Sequence, residues 1–148
     1  MDKILLILDK IDENNKHMLD DLKSLIKAKG VEIFYAFFVE IPLKYPIDSE
    51  DGDFKNDFDS AEQLLKSFEK EMNLRKISKS RMVGGLFKVR DLNFGIIEKA
   101  FEYSADLVIV PEIIINSNRI SNKFNKNLII NKVMNDLNSS VMFWKDKG

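Results

Sequence analysis

Few side chains in this sequence do covalent chemistry. Its 148 residues include no cysteine and one histidine. That leaves no thiolate nucleophile, no zinc-thiolate cluster and no all-histidine metal site. A Ser-His-Asp triad would have to use His17. His17 lies between Lys16 and Met18 with no partner at a recognisable spacing, and it reads as a solvated helix residue. The run Asp48-Ser49-Glu50-Asp51-Gly52-Asp53 is as acidic as a calcium loop, but the closing bidentate glutamate is missing at the required spacing, so it reads as a solvated loop. Gly84-Gly85 could cradle an anion, though a turn leaving an edge strand explains the pair better. Asp9 ends an apolar run. It is either a ligand contact or a carboxylate that accepts hydrogen bonds from the turn after a strand. No phosphate loop, nucleophile elbow or carboxylate-histidine arrangement is found, so the expectation is a protein that is not an enzyme.

Charge narrows the partners. Twenty-three basic residues face 24 acidic ones, a net charge of -1. There is no basic excess to hold the protein on nucleic acid or an anionic membrane. The aromatic cluster Phe34, Tyr35, Phe37, Phe38 is flanked by Glu32 and Glu40, whereas a base-stacking platform needs cations interleaved. The opening apolar run, residues 4–8, is five residues long. It lacks the basic start and cleavage site of a secretory signal, and no stretch approaches the ~20 apolar residues of a membrane span. A cytoplasmic protein is expected. The length suits one domain, since domains run about 100–150 residues.

The elements that would position these residues follow from periodicity. Residues 4–8 form a continuous apolar run, as in a strand buried on both faces. Met18, Leu19, Leu22, Leu25 and Ile26 give one helix face, stopped by Gly30. Residues 31–39 read as a second strand ended by Pro42. Residues 43–56, acidic and holding Pro46 and Gly52, read as a surface loop. Phe58, Ala61, Leu64, Leu65, Phe68 and Met72 make a second helix. Residues 77–83 are a polar strand, which belongs at a sheet edge, and Gly84-Gly85 breaks the chain after it. Ile96, Ile97, Ala100 and Phe101 mark a helix starting near Asp91 or Asn93. Residues 107–110 are another buried strand closed by Pro111. Residues 112–126 show no clear period. Ile130, Val133, Met134 and Leu137 make the last helix, and residues 141–144 the last strand. This βαβαβαβαβ order predicts an α/β fold, an open parallel sheet with helices on both faces.

Five local strings then carry a resemblance. They are KILLILD (3–9), FFVEIP (37–42), MVGG (82–85), SADLVIV (104–110) and SSVMFW (139–144). In this order and spacing they resemble the universal stress protein family over nearly the whole chain. The resemblance implies a five-stranded parallel sheet in order 3-2-1-4-5 and a regulatory or protective role in stress. It also implies a ligand crevice where the strand order reverses, beyond the carboxyl ends of the first and fourth strands. Those ends are Asp9-Lys10 and Pro111-Glu112.

Family members that bind ATP carry G-x2-G-x9-G-[S/T] after the fourth strand, where glycines let backbone amides approach phosphate oxygens. Here no glycine occurs from Ile96 to Lys147. Glu112 stands at the first glycine, Asn127-Leu128 at the final pair, and Pro111 has no amide proton. Phe38 aligns with the family's small adenine-contacting residue. The expectation is no cofactor, with ATP or AMP disfavoured. The alternative is an adenine nucleotide or small anion held by Asp9 with Asn116, Ser117, Asn118, Arg119, Ser121 and Lys123. The resemblance also makes the last strand an apolar edge, so that Val141, Met142, Phe143 and Trp144 are expected to pair antiparallel in a homodimer.

Overall fold

A computed structural model describes residues 3–28, 30–41, 44–47, 51–77, 81–112 and 125–145, with the backbone alone for 51–54. The strands are β1 (Lys3–Ile7), β2 (Glu32–Glu40), β3 (Met82–Val89), β4 (Leu107–Pro111) and β5 (Ser140–Trp144). They form one sheet in order β3-β2-β1-β4-β5, and every neighbouring pair is parallel. β1 is central: Leu5 faces Phe34 of β2 on one side and Val108 of β4 on the other. The expected topology is therefore present.

Continuous apolar runs in β1 and β4 serve two cores because successive side chains point to opposite faces. Ile4, Leu6 and Ile109 join a core under α1 (Asp12–Asp21), the short α2 (Lys23–Ile26) and α3 (Asp51–Leu74), with Leu19, Ile26 and Phe68. Leu5, Ile7, Val108 and Val110 join the other core, under α4 (Leu92–Tyr103) and the last helix, with Ile96, Ala100 and Val133. The last helix begins as α5 (Lys126–Ile130) and continues as a π-helical stretch, Asn131–Asp136. The first helical region ends earlier than expected, at Ile26 with Lys27 as its cap; Gly30 follows with φ +82, a left-handed geometry that glycine adopts without penalty, and turns the chain toward β2. Asp91 caps α4 by accepting the Asn93 N–H. No helix among the described residues is long and apolar enough to cross a membrane.

Two expectations are corrected. The surface loop does not reach residue 56, because α3 starts at Asp51. Asp51 and Asp53 fall in its first turn. Residues 48–50 of the acidic run lie outside the described residues. The third strand is Met82–Val89 rather than residues 77–83, and Gly84-Gly85 lies inside it. The pair is not a turn. A Cβ on Gly84 would sit 1.9 Å from the Tyr35 carbonyl oxygen, so glycine lets β3 close onto β2 at that rung. The strand is still an edge. Ser78, Lys79 and Ser80, whose polarity suggested one, lie outside the described residues.

Candidate functional site

The strand order reverses between β1 and β4, and in open α/β sheets ligands bind beyond the carboxyl ends of the strands at such a point. On the β1 side the chain passes from Leu8, whose N–H donates to the Ala36 carbonyl at 2.9 Å, into Asp9, which is 4% exposed. Three hydrogen bonds fix Asp9. Its N–H donates to Asn15 Oδ1 at 2.8 Å, Asn15 Nδ2 donates back to its carbonyl at 2.9 Å, and Asn14 Nδ2 donates to its Oδ2 at 2.7 Å. Asn15 is fully buried. Its amide satisfies both backbone groups of the residue that leaves the sheet, which is why a polar side chain is stable there. Lys10, beside Asp9, is exposed. Asn14 and Asn15 are not among the site residues expected from sequence. Their spacing, five and six after Asp9, is the signal that could have found the clamp.

The next residue pointing back from α1 is Asp12. Its Oδ2 accepts the Ser67 hydroxyl of α3 at 2.7 Å. Its Oδ1 is buried without a hydrogen-bond partner among the described residues.

On the β4 side Pro111 is buried and pairs in register with Trp144. Glu112 follows it, half-buried. Asn116, Ser117, Asn118, Arg119, Ser121 and Lys123 lie outside the described residues. At Asn125 the chain enters α5. The Asn125 side chain caps the helix by accepting the Leu128 N–H at 3.0 Å, and its own N–H donates to Asn93 Oδ1 at 2.7 Å. Asn93 is buried, and both its N–H and its Nδ2 donate to Asp91 Oδ1, at 2.8 and 2.9 Å. The chain Asp91–Asn93–Asn125 thus ties the starts of α4 and α5 together. Asn127 is exposed in the first turn of α5, two residues past the cap.

Phe38 is half-buried on the α4 face, in the same core as Ala36. Its ring lies 6.0 Å from that of Phe87, and a Cβ on Gly95 of α4 would approach it to 3.4 Å. Its bulk therefore fills the space between β2 and α4. In β5, Val141 and Phe143 are partly buried in the α4-side core, and Met142 is 37% exposed. Trp144 turns to the opposite face. It is buried, and its Nε1 donates to Asp21 Oδ2 at 2.9 Å. His17 is exposed, 3.9 Å from Glu13. No group of three or more His, Asp or Glu among the described residues could hold a metal ion.

Chemically, the crevice offers a carboxylate and side-chain amides. These accept and donate hydrogen bonds.

Solved structures share this architecture. The chain superposes on a universal stress protein family member from Burkholderia pseudomallei with TM-score 0.60, covering 96% of this chain and 94% of that one at 13% identity. A universal stress protein solved in complex with cAMP gives 0.59, over 97% and 96%, at 12% identity. The one from Archaeoglobus fulgidus in complex with dAMP gives 0.56, over 97% of each chain, at 13% identity. The fold is that of the universal stress proteins. No family model and no curated protein matches the sequence, so the likeness is one of architecture. In the universal stress protein fold Asp9 and Glu112 fall at the ends of the two strands that flank the switch point.

Proposed function

We propose that this protein is a universal stress protein-like regulatory protein of the stress response. It acts without catalysis, and it does not hold ATP in the manner of the family members that bind it. One observation carries this reading. The chain leaves β4 through Pro111, which has no N–H, into the half-buried carboxylate of Glu112. A phosphate-cradling turn needs amide protons and small residues there. A carboxylate at that place repels a triphosphate. Titration calorimetry with magnesium-ATP and with AMP tests it. No saturable heat with ATP is expected, and stoichiometric micromolar binding of ATP overturns the reading.

A second reading has its own support: an adenine-nucleotide or small-anion binding module that uses the segment after β4. Asp9 is buried at the switch point, and two proteins of the same fold were solved with cAMP and dAMP, ligands with a single phosphate. Native mass spectrometry of freshly purified protein separates the two. A retained ligand favours the second reading, and a clean apo mass the first.

The same proposal makes the protein cytoplasmic and homodimeric through β5. Met142 is the exposed apolar contact on that edge. Trp144 contributes from within, since its indole is held by Asp21. Met142→Glu should turn a dimer into a monomer in light scattering, and an unchanged mass removes β5 from the interface.

A further inference from the structure

The helix α4 turns a second apolar face to solvent. Its inner face is spent on the core, where Leu92, Ile96 and Ala100 are buried. Seven residues make nearly two turns, so Phe94 and Phe101 fall within about 20° of each other on the far side of the helix. They are 56% and 68% exposed, and Phe101 is the most exposed large apolar side chain among the described residues. Ile97, partly buried, lies between them along the helix. Residues 94, 97 and 101 have the i, i+3, i+7 spacing of a helix face that meets another helix. Single exposed apolar side chains are ordinary, whereas a contiguous stripe marks a contact surface.

The flanks of the stripe say what it can meet. Ile97 lies on the side of Asn93, whose Oδ1 accepts the Asn125 N–H at the start of the last helix. That helix carries Lys132, paired with Asp136 at 3.3 Å. On the other flank Lys99 pairs with Glu102 at 2.9 Å and sits 4.1 Å over the Phe87 ring. Each flank therefore holds a cation and an anion already matched, and the exposed Glu98 adds one negative charge beside Lys99. A foreign partner is selected largely by complementary charge, and this face has little to select with. A copy of the stripe, in contrast, matches it in length and chemistry. Two copies running in opposite directions would bring Glu98 against the partner's Glu98. Running in the same direction, they stack phenylalanine on phenylalanine and isoleucine on isoleucine. That arrangement carries Glu98 across to the partner's last-helix flank, where Lys132 stands.

We propose that α4 is a self-association face, on which two copies of this chain pack their α4 helices in the same direction about a two-fold axis, through Phe94, Ile97 and Phe101. The two phenylalanines expose roughly 200–300 Å² per copy. That suits the centre of a weak interface, of less than about 1,200 Å² in total, rather than a permanent dimer. The contact shares no residue with the β5 edge or the switch point.

Sedimentation equilibrium of the Met142→Glu chain tests it, because that substitution opposes any pairing through β5. Association with a dissociation constant between about 10 μM and 1 mM is expected. In the same background Phe101→Glu should weaken it by about tenfold or more, and Phe94→Glu likewise. Leu74→Glu, at an equally exposed apolar side chain of α3, should leave it unchanged. All three sites lie at the surface, and circular dichroism confirms the fold of each variant. The direction of packing is read by disulfide formation. The chain has no cysteine, so Phe101→Cys introduces a single thiol. Its oxidation to a cross-linked dimer should run about fivefold or more faster than that of Leu74→Cys. A chain that stays monomeric up to about 1 mM overturns the proposal. So does association that Phe101→Glu leaves unchanged or that Leu74→Glu weakens equally. Cross-linking of Phe101→Cys no faster than the control overturns it too, since the helices then do not run in the same direction.

Discussion

Replacing Asn15 by alanine tests whether the switch point is held by its own amides. The side chain makes two hydrogen bonds, to the N–H and to the carbonyl of Asp9, at 2.8 and 2.9 Å. Asn15 is fully buried and Asp9 nearly so, so water does not readily replace the lost partner. Each neutral hydrogen bond contributes about 1 kcal/mol net, and a buried backbone group left unsatisfied costs about 1–3 kcal/mol. Two such groups predict a loss of about 3–4 kcal/mol, a large share of the 5–15 kcal/mol typical of a domain. The matched control is Asn14→Ala. It removes one bond to a carboxylate oxygen at a partly buried position, worth about 1–2 kcal/mol. Urea unfolding followed by circular dichroism reads both. With a slope of about 1–3 kcal/mol per molar, Asn15→Ala should lower the midpoint by more than about 1 M, clearly further than Asn14→Ala. A loss below about 1 kcal/mol, or no greater than that of the control, would falsify the clamp.

Other substitutions follow from single contacts. Burial, then the carboxylate of Glu69, pushes the Tyr35 hydroxyl up to about 12 from its usual 10. The neutral form is therefore the one the fold prefers, and its stabilisation is complete below pH 10 and lost as pH rises to 12. About 1–2 kcal/mol should disappear over that window, and Tyr35→Phe should flatten the curve. Gly84→Ala forces a Cβ to within 1.9 Å of the Tyr35 carbonyl oxygen and should cost about 1–3 kcal/mol, whereas Gly85→Ala should be neutral or stabilising by a few tenths; equal effects on the melting temperature would refute the register. Trp144→Phe removes the indole bond to Asp21 and should cost about 1–2 kcal/mol. Asp21→Ala should cost as much, and the double variant little more, in a double-mutant cycle.

The sheet was readable from sequence wherever one physical signal dominated. The apolar runs of β1 and β4 and the periodic face of α3 each point to one structure, and each is present; the start of α4, expected near Asp91 or Asn93, is capped by Asp91. β3 was misplaced because glycine is the strongest local mark of a turn. The reason for Gly84 is a contact with Tyr35, 49 residues earlier in the chain and 1.9 Å from the would-be Cβ, and local pattern does not carry that. The acidic start of α3 was read as loop for a related reason. Asp51 and Asp53 disfavour helix interiors but suit the first turn, and only the full length of the helix, Asp51–Leu74, reveals which applies. At the crevice, Asp9 was legible as a strand-ending carboxylate. The Asn15 clamp and the Asn93–Asn125 link were not, because each joins side chain to backbone across a turn or between helices.

The clamp bears on how the two functional readings are weighed. A buried carboxylate at a switch point suggests a ligand, since an unmatched charge in that position is costly. Here the protein supplies partners itself. Asn14 engages Asp9 Oδ2, and Asn15 takes both backbone groups. Asp9 is thus accounted for by the geometry of the turn from β1 to α1, whether or not anything binds. Its presence does not by itself argue for a nucleotide, and the decision moves to the β4 side. There Pro111 offers no amide proton and the side chain of Glu112 adds a negative charge. Glu112→Gly separates the readings. If Glu112 is what keeps nucleotide phosphate away, this variant should bind AMP roughly tenfold more tightly than the wild type, a gain of about 1–2 kcal/mol. If the wild type already binds and the variant binds no better, Glu112 was never the obstacle, and the module reading stands in its place.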